Sequence, residues 1–468
     1  MMQHSVVVGL GKTGASCLRY LAKRGIPVSA TDTRRTPPGL AELGGLAHSL
    51  DLRLGGFDLS LLDGASQVLM SPGVSLDEPI ARAARDRGID VLGDVELFAR
   101  NVQAPVIGIT GTNGKSTVTS LVARMAAAAG RTVLAGGNLG EPALDLLEQP
   151  TPDLYVLELS SFQLETTYSL RLQAAVVLNV TADHLDRYPS VAAYALAKSR
   201  IFAQAATVVL NADDPLVAAM RGVANRQAPL RGAPNREAIT GGVVNGGKAT
   251  RTVTFSIERP EADFTLLRTG AQTLLARHGE GLLDVSRMKI TGLHNAANAL
   301  AALALGDAVG LPVAAMLDAL VSFPGLSHRS EWIADVAGVR YIDDSKGTNV
   351  GATIAAVAGM PGPLVMIAGG EGKGQDFAPL APAFRGKVRH VVLIGKDAPA
   401  VAAALAGVCT TETVASMPEA VAAAARIARA GDTVLLSPAC ASFDMFRDYG
   451  HRGDVFADAV RELERRPA

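Results

Sequence analysis

Cysteine is nearly absent from this chain of 468 residues: Cys17, Cys409 and Cys440 stand far apart and are odd in number. They offer neither a disulfide framework nor a cysteine-based zinc spacing, so a reducing compartment is expected. Aromatic residues make up only 4%, too few for a stacking platform on single-stranded nucleic acid. Neither sign of charge dominates: 44 Lys+Arg against 45 Asp+Glu leave a net charge of -1. That balance argues against a generally basic nucleic-acid coat, although a local basic pocket stays open. Apolar runs are broken by Gly, Pro or charge before the roughly 18 residues that a membrane span needs. The opening MMQHSVVVGLGKTG lacks the basic segment of a signal peptide. A soluble, cytoplasmic protein is therefore expected; a monomer is taken as the expectation for its assembly, which these features do not determine.

What the chain does have is 48% hydrophobic residues, enough for several cores. At about 150 residues per domain its length suggests about three domains. Short β-branched runs ending in Gly, Ser, Thr or Asn alternate with Ala/Leu-rich helical stretches, the rhythm of βαβ units in an α/β fold with parallel sheets. Three blocks separate, at residues 1–94, 95–325 and 326–468, with SFPGLSHRS as the second junction. The stretch from Ala224 to Asp284 is polar and Gly-rich and reads as an antiparallel or irregular insertion. The third block offers four strand candidates: VRYID, PLVMIAGG, HVVLIG and DTVLLSP.

Two glycine turns stand between a strand and a helix. Gly9-Leu10-Gly11-Lys12-Thr13-Gly14 permits close approach of a pyrophosphate to a helix N-terminus, and Asp32 ends the next strand where an acid meets a ribose hydroxyl. A nicotinamide dinucleotide is the usual ligand of such a turn; a packing turn with no ligand is the plainer alternative. The second turn, Gly108-Ile109-Thr110-Gly111-Thr112-Asn113-Gly114-Lys115-Ser116-Thr117, is a variant phosphate loop with Ile109 where the strict pattern has Gly. Its N–H groups suit ATP phosphates, Lys115 the β/γ oxygens and Ser116 a magnesium ion. Glu158 and His184 follow at the ends of later strands, on the edge of a parallel sheet that faces the same crevice, and are candidate metal ligands. In the third block, DDSKGTN, GGEGK and SPACAS place lysines and hydroxyls on strand-end loops suited to a small anion, with His328 and Arg329 at the junction. Lys198, on a helix four residues after Tyr194, has only the spacing of a solvated charge.

TGTNGKST, LELSSFQLE, NVTADHLDRY, GLHNAANALAA, SHR, IDDSKGTN and SPACASFDMF together resemble the Mur ligases, in the order found in that family and along nearly the whole chain. Within the family they are most similar to the branch that adds glutamate to UDP-N-acetylmuramoyl-L-alanine. The resemblance implies three domains: an N-terminal Rossmann-like domain for UDP, a central P-loop domain for ATP, and a C-terminal Rossmann-like domain for the amino acid. It implies ATP-dependent amide formation through an acyl phosphate, in cell-wall precursor synthesis, with two magnesium ions. By the same resemblance, Lys12, Thr13, Asp32, Thr33, Arg34 and Ser71 hold the uridine end of the substrate, and Asn138 and Ser160 its muramoyl-alanine end. Gly111 to Thr117, Asn295, Arg329 and Asp344 hold ATP. Ser116 and Glu158 serve the first magnesium, and His184 and Lys198 the second, with Lys198 carbamylated by CO2. Lys346, Thr348, Lys373, Ser442 and Tyr449 receive the glutamate.

The departures from the family pattern fall near that last pocket. Arg447-Asp448-Tyr449-Gly450-His451 stands where many relatives have Asn-Phe-Glu, and the insertion around Arg226–Asp263 looks long. D-glutamate is the family default, and a subgroup that adds L-glutamate is the alternative. A folylpolyglutamate synthase-like ligase shares the phosphate loop but has no counterpart of residues 1–94. An NAD-dependent oxidoreductase or a non-catalytic nucleotide binder leaves Lys115, Glu158 and His184 without a task.

Overall fold

The computed structural model describes residues 4–221, 250–270, 272–360 and 362–465. Three sheets follow one another along the chain. The first comprises β1 (His4–Val8), β2 (Val28–Asp32), β3 (Asp51–Leu54), β4 (Ala65–Met70) and β5 (Asp90–Leu92). It is parallel throughout in the order β3-β2-β1-β4-β5, so the chain reverses direction of progress between β1 and β4. A crevice opens at such a reversal, and ligands of α/β sheets bind there.

The central sheet has nine strands: β6 (Val106–Thr110), β7 (Val133–Gly137), β8 (Leu154–Glu158), β9 (Leu172–Val177), β10 (Ala205–Asn211), β11 (Arg251–Phe255), β12 (Phe264–Thr269), β13 (Gln272–Arg277) and β14 (Glu280–Asp284). Its order is β14-β13-β12-β11-β10-β9-β6-β8-β7. The expected antiparallel insertion is half right. β12, β13 and β14 are antiparallel, but β11 pairs parallel with β10 and extends the main sheet. Residues 222–249 of the insertion lie outside the described residues.

The third sheet joins β15 (Glu331–Val336), β16 (Val339–Asp343), β17 (Leu364–Gly369), β18 (Val388–Ile394), β19 (Thr410–Thr413) and β20 (Thr433–Leu436), in the order β15-β16-β20-β17-β18-β19. Four strands were expected and six are present. β15 is an antiparallel edge strand whose Trp332 faces solvent, and β19 is a short polar edge strand, so neither carries the apolar run of a central strand.

The cores explain how the sheets hold position. One cluster runs from Val7, Leu18 and Leu21 of the first block through Phe98 to Tyr155 and Leu157 of the central sheet, with Phe98 edge-on to Tyr155 at 5.3 Å. The first two blocks therefore share one apolar core. The helix Leu293–Ala308, rich in Ala and Leu and apolar on nearly every side, is buried against the other face of the central sheet. Among the described residues, no helix is long and apolar enough to cross a membrane.

Candidate active site

Three cavities meet at the C-terminal ends of the strands. The first, of about 460 Å³, lies over the crevice between β1 and β4 and is lined by Lys12, Thr13, Asp32, Thr33, Arg34 and Ser71. Its glycine turn is close-packed: Gly9 has φ +91°, and a Cβ at Gly14 would stand 2.0 Å from the Gly9 carbonyl oxygen. Asp32 holds the turn together. Its carboxylate accepts from the Leu10 N–H at 2.6 Å and from the Arg34 N–H and guanidinium at 2.7–2.9 Å. Burial alone would raise this carboxyl, but the Arg34 guanidinium and the two N–H groups hold it below the usual range. Lys12 reaches across to the Gly140 carbonyl at 2.8 Å, so the central block closes the far wall.

The second cavity, of about 390 Å³, gathers side chains from the central and third blocks. The phosphate loop enters it with Gly111 at φ +153° and Gly114 at φ +84°, and a Cβ on Gly114 would meet Asn298 Oδ1 at 2.4 Å. Lys115 Nζ donates to the carbonyls of Gly111 and Thr112 at 2.9 and 2.8 Å, and burial lowers its pKa. Lys198 Nζ donates to the same Gly111 oxygen at 2.9 Å and sits 4.3 Å over the Tyr194 ring. This is the largest correction to the spacing argument: Lys198 is 1% exposed rather than solvated. Burial, then the nearby Lys115, drive its pKa well down.

Glu158 ends β8 and its Oε1 accepts from Asn138 Nδ2 at 2.7 Å. Its Oε2 is buried without a partner among the described residues. A buried, unpaired carboxylate oxygen is costly unless a cation completes it. His184 lies beside Phe162, ring centroids 4.9 Å apart, and burial keeps its imidazole below the ordinary pKa while Asp183 opposes. A hydroxyl (Ser116) and a carboxylate oxygen without a partner (Glu158) line this cavity and are the oxygen donors that a hard divalent cation takes, and the His184 imidazole lines it as well. Ser160 lines the same cavity and caps the helix Ser161–Glu165 in a reciprocal capping box with Gln163.

From the third block come Lys346, Thr348, Lys373, Ser442 and Tyr449. Lys346 stacks 3.9 Å over the Tyr449 ring, and burial followed by Arg329 and Lys115 brings its pKa down to about 7. Asp448 accepts from the His451 N–H at 2.8 Å and so caps the helix Tyr449–Arg465. Asp and Asn cap equally well, so the departure at Asp448 leaves this helix start intact.

The third cavity, of about 290 Å³, extends from the phosphate loop between the two blocks and is lined by Asn113, Gly114, Thr117, Asn295, Arg329 and Asp344 beside apolar Leu178, Phe255 and Ile290. Arg329 Nη2 donates to Ser116 Oγ at 2.6 Å and brings the third block against the loop. Burial raises the Asp344 carboxyl to about 7, against the pull of the Ser437 hydroxyl bonded to it at 2.8 Å. His328, at φ +61°, is paired through Nδ1 with Asp343 at 2.7 Å. It anchors the junction, while its neighbour Arg329 caps the crevice.

The residues expected to receive glutamate line the second cavity together. Those expected for the UDP substrate are divided between the first cavity and, through Asn138 and Ser160, the second; those expected for ATP, Gly111 apart, are divided between the second and the third. Asp183, Gln163 and Asn349 were not anticipated. Gln163 lines the first cavity beside Asn138. Asn349 bonds Asn113 at 3.2 Å and Asp183 at 3.4 Å, and caps the helix Val350–Gly359. Asp183 lay visible beside His184, but nothing local marked Asn349 as the third block's contact with the loop.

Family models match along the chain: the N-terminal domain of MurD-like Mur ligases over residues 3–93, the Mur ligase middle domain over 109–306, and the Mur ligase glutamate ligase domain over 328–440. A protein of Nitrosococcus oceani named UDP-N-acetylmuramoylalanine--D-glutamate ligase is 54% identical over 98% of this chain and 96% of its own. The protein of that name from Pseudomonas aeruginosa is 48% identical over 98% of each chain. Among solved structures, UDP-N-acetylmuramate-alanine ligase of Thermotoga maritima matches with a TM-score of 0.61 at 20% identity, covering 99% of this chain and 100% of its own. A pseudomurein peptide ligase of Methanothermus fervidus matches with a TM-score of 0.59 at 20% identity, over 98% and 100%. Matches of this extent and identity, over the same three blocks that carry the cavities, establish that the chain belongs to the Mur ligase family.

Proposed function

We propose that this chain is an ATP- and magnesium-dependent ligase that joins D-glutamate to the alanyl carboxyl group of UDP-N-acetylmuramoyl-L-alanine, releasing ADP and phosphate. The observation that carries the reading is the second cavity, which faces the phosphate loop, the strand-end loops of the third block and, through Asn138, the first cavity. A long UDP-sugar with a terminal carboxylate suits that path. Relatives about half identical and named for D-glutamate favour that enantiomer over L-glutamate.

The chemistry follows from the residues. A carboxylate resists attack by an amine, so its oxygen must first take the γ-phosphoryl group and become an acyl phosphate. Lys115 and Arg329 offset charge on the phosphoryl oxygens during that transfer. Magnesium supplies the remaining charge neutralisation between the anionic reactants. Ser116 and Glu158 would hold one ion, the orphaned Glu158 Oε2 pointing to that use. His184 and Lys198 would hold a second. An ammonium buried beside Lys115 is poorly placed at Lys198, whereas addition of CO2 to its neutral amine gives a carbamate anion in the same spot. Asn138 orients Glu158; Thr348, Lys373 and Ser442 offer hydroxyls and a cation to the two glutamate carboxylates. Asn295 and Asp344 fit the nucleoside, and Asp32, with Arg34, shapes the uridine end.

The test is isotopic. With both carboxylate oxygens of UDP-N-acetylmuramoyl-L-alanine labelled with 18O, an acyl-phosphate route passes one label to the released phosphate. Unlabelled phosphate in the presence of product would exclude that route.

A further inference from the structure

Lys346 lies three residues past β16, with its backbone N–H fixed to the His328 carbonyl at 3.0 Å. Its ammonium stands over the Tyr449 ring and, among the described residues, has neither a hydrogen-bond acceptor nor a carboxylate within ion-pair distance. Arg329, Lys115 and Lys373 surround it as cations, with Glu158 the opposing anion. Of the other basic groups that line the cavity, Lys115 and Lys198 bond loop carbonyls and Arg329 bonds Ser116, His184 is assigned above to a metal ion, and Lys373 to a glutamate carboxylate.

The proposed reaction needs a base at this end of the cavity. Glutamate arrives as an ammonium ion, and its nitrogen has no lone pair until a proton leaves. We propose that Lys346 is the general base that takes this proton, the Tyr449 ring holding its Nζ toward the incoming amine. The inference rests on the ligase reading above. One proton passes from the ammonium to Lys346 Nζ, and the freed pair forms the C–N bond at the acyl carbonyl. The C–O bond to phosphate then breaks, the second N–H proton leaves with the phosphate as HPO4 2−, and Lys346 returns its proton to water. Burial, and then the surrounding cations, bring Lys346 to about 7 and keep much of it in the neutral form that this step requires.

Hydroxylamine separates the base from the rest of the machinery, because it is neutral near pH 7 and traps an acyl phosphate as a hydroxamate without prior proton loss. In the wild-type enzyme, glutamate ligation should fall about tenfold per pH unit below the Lys346 pKa, while hydroxamate formation, expressed per neutral hydroxylamine, lacks that limb. Lys346→Arg keeps the charge but cannot accept a proton. It should lower kcat for glutamate about 10²- to 10⁴-fold, leave KM for glutamate within about threefold, and retain hydroxamate formation. A raised KM with kcat kept would make Lys346 a carboxylate anchor instead. Parallel loss with both nucleophiles would place it in phosphoryl transfer, and either result overturns the proposal. If the arginine variant fails to fold, the wild-type pH comparison decides alone: a shared acid limb refutes the base role. Wild-type enzyme that makes neither hydroxamate nor phosphate would instead overturn the ligase reading, and the proposal with it.

Discussion

The two glycine turns use the same strand–turn–helix geometry for different ends. Around Gly9–Gly14 the charged side chains satisfy one another: Asp32 is consumed by Arg34 and by backbone N–H groups, and Lys12 by a carbonyl across the cleft. Around Gly111–Ser116 they do not. Lys115 and Lys198 share one carbonyl oxygen, Glu158 keeps a buried oxygen unpaired, and His184 is held near neutrality. A glycine turn therefore identifies an anion cradle, while the strand ends beside it decide whether the anion is only held or is made to react. At the first turn the charges are matched within the protein; at the second a buried Glu158 oxygen has no partner among the described residues.

This contrast can be broken by substitution. The largest effect is expected at the second turn, where Lys115→Ala should reduce phosphate release by about 10³-fold or more, with calorimetric affinity for the UDP substrate kept within about twofold. A matching loss of affinity would mean that the two cavities are not functionally separate. Lys198→Ala should cost about 10²-fold or more, as loss of a charged ligand group does. A short carboxylic acid should restore part of that activity, and unchanged turnover would refute the carbamate.

At the first turn, Asp32→Asn should act on binding alone. It weakens the bonds to Arg34, so KM for the UDP substrate should rise about tenfold while kcat holds, from the roughly 1.5 kcal/mol of a charge-assisted bond. A fall in kcat with KM unchanged would place Asp32 in the chemistry. The smallest effect belongs to the junction. Hydrogen bonding to Asp343 raises the His328 pKa above 6.5, against a smaller effect of burial. The folded chain then binds this proton more tightly, so the stabilisation is full below pH 6.5 and fades as pH rises through the folded pKa. His328→Gln should therefore lower Tm by about 2 °C at pH 6, with the difference shrinking by pH 8.5; a constant gap would show that the pairing is not protonic.

How much of this was legible in the sequence depends on the range of the interaction. Strand-end motifs were readable because turn chemistry is local: Gly114 at φ +84° and the Ser160–Gln163 capping box are fixed by neighbours. The edge strand β15 was missed because EWIADV carries alternating polar residues and an exposed Trp332, without the apolar run of the central strands. β11 was misread because its partner is β10, across the long insertion, rather than the hairpin beside it. Lys198 was invisible to spacing because its burial comes from the Gly111 carbonyl, 87 residues away in sequence. The family resemblance drew attention to Lys198, and its burial is what the structure adds.

The most direct test of the account is phosphate release with ATP, magnesium and UDP-N-acetylmuramoyl-L-alanine, with D-glutamate and L-glutamate compared in parallel. The account predicts release that depends on both the UDP substrate and D-glutamate, in one-to-one ratio with the ligated product. Release with L-glutamate alone would overturn the stereochemistry and direct attention to Asp448 and Tyr449. Silence with both would contradict the substrate assignment itself.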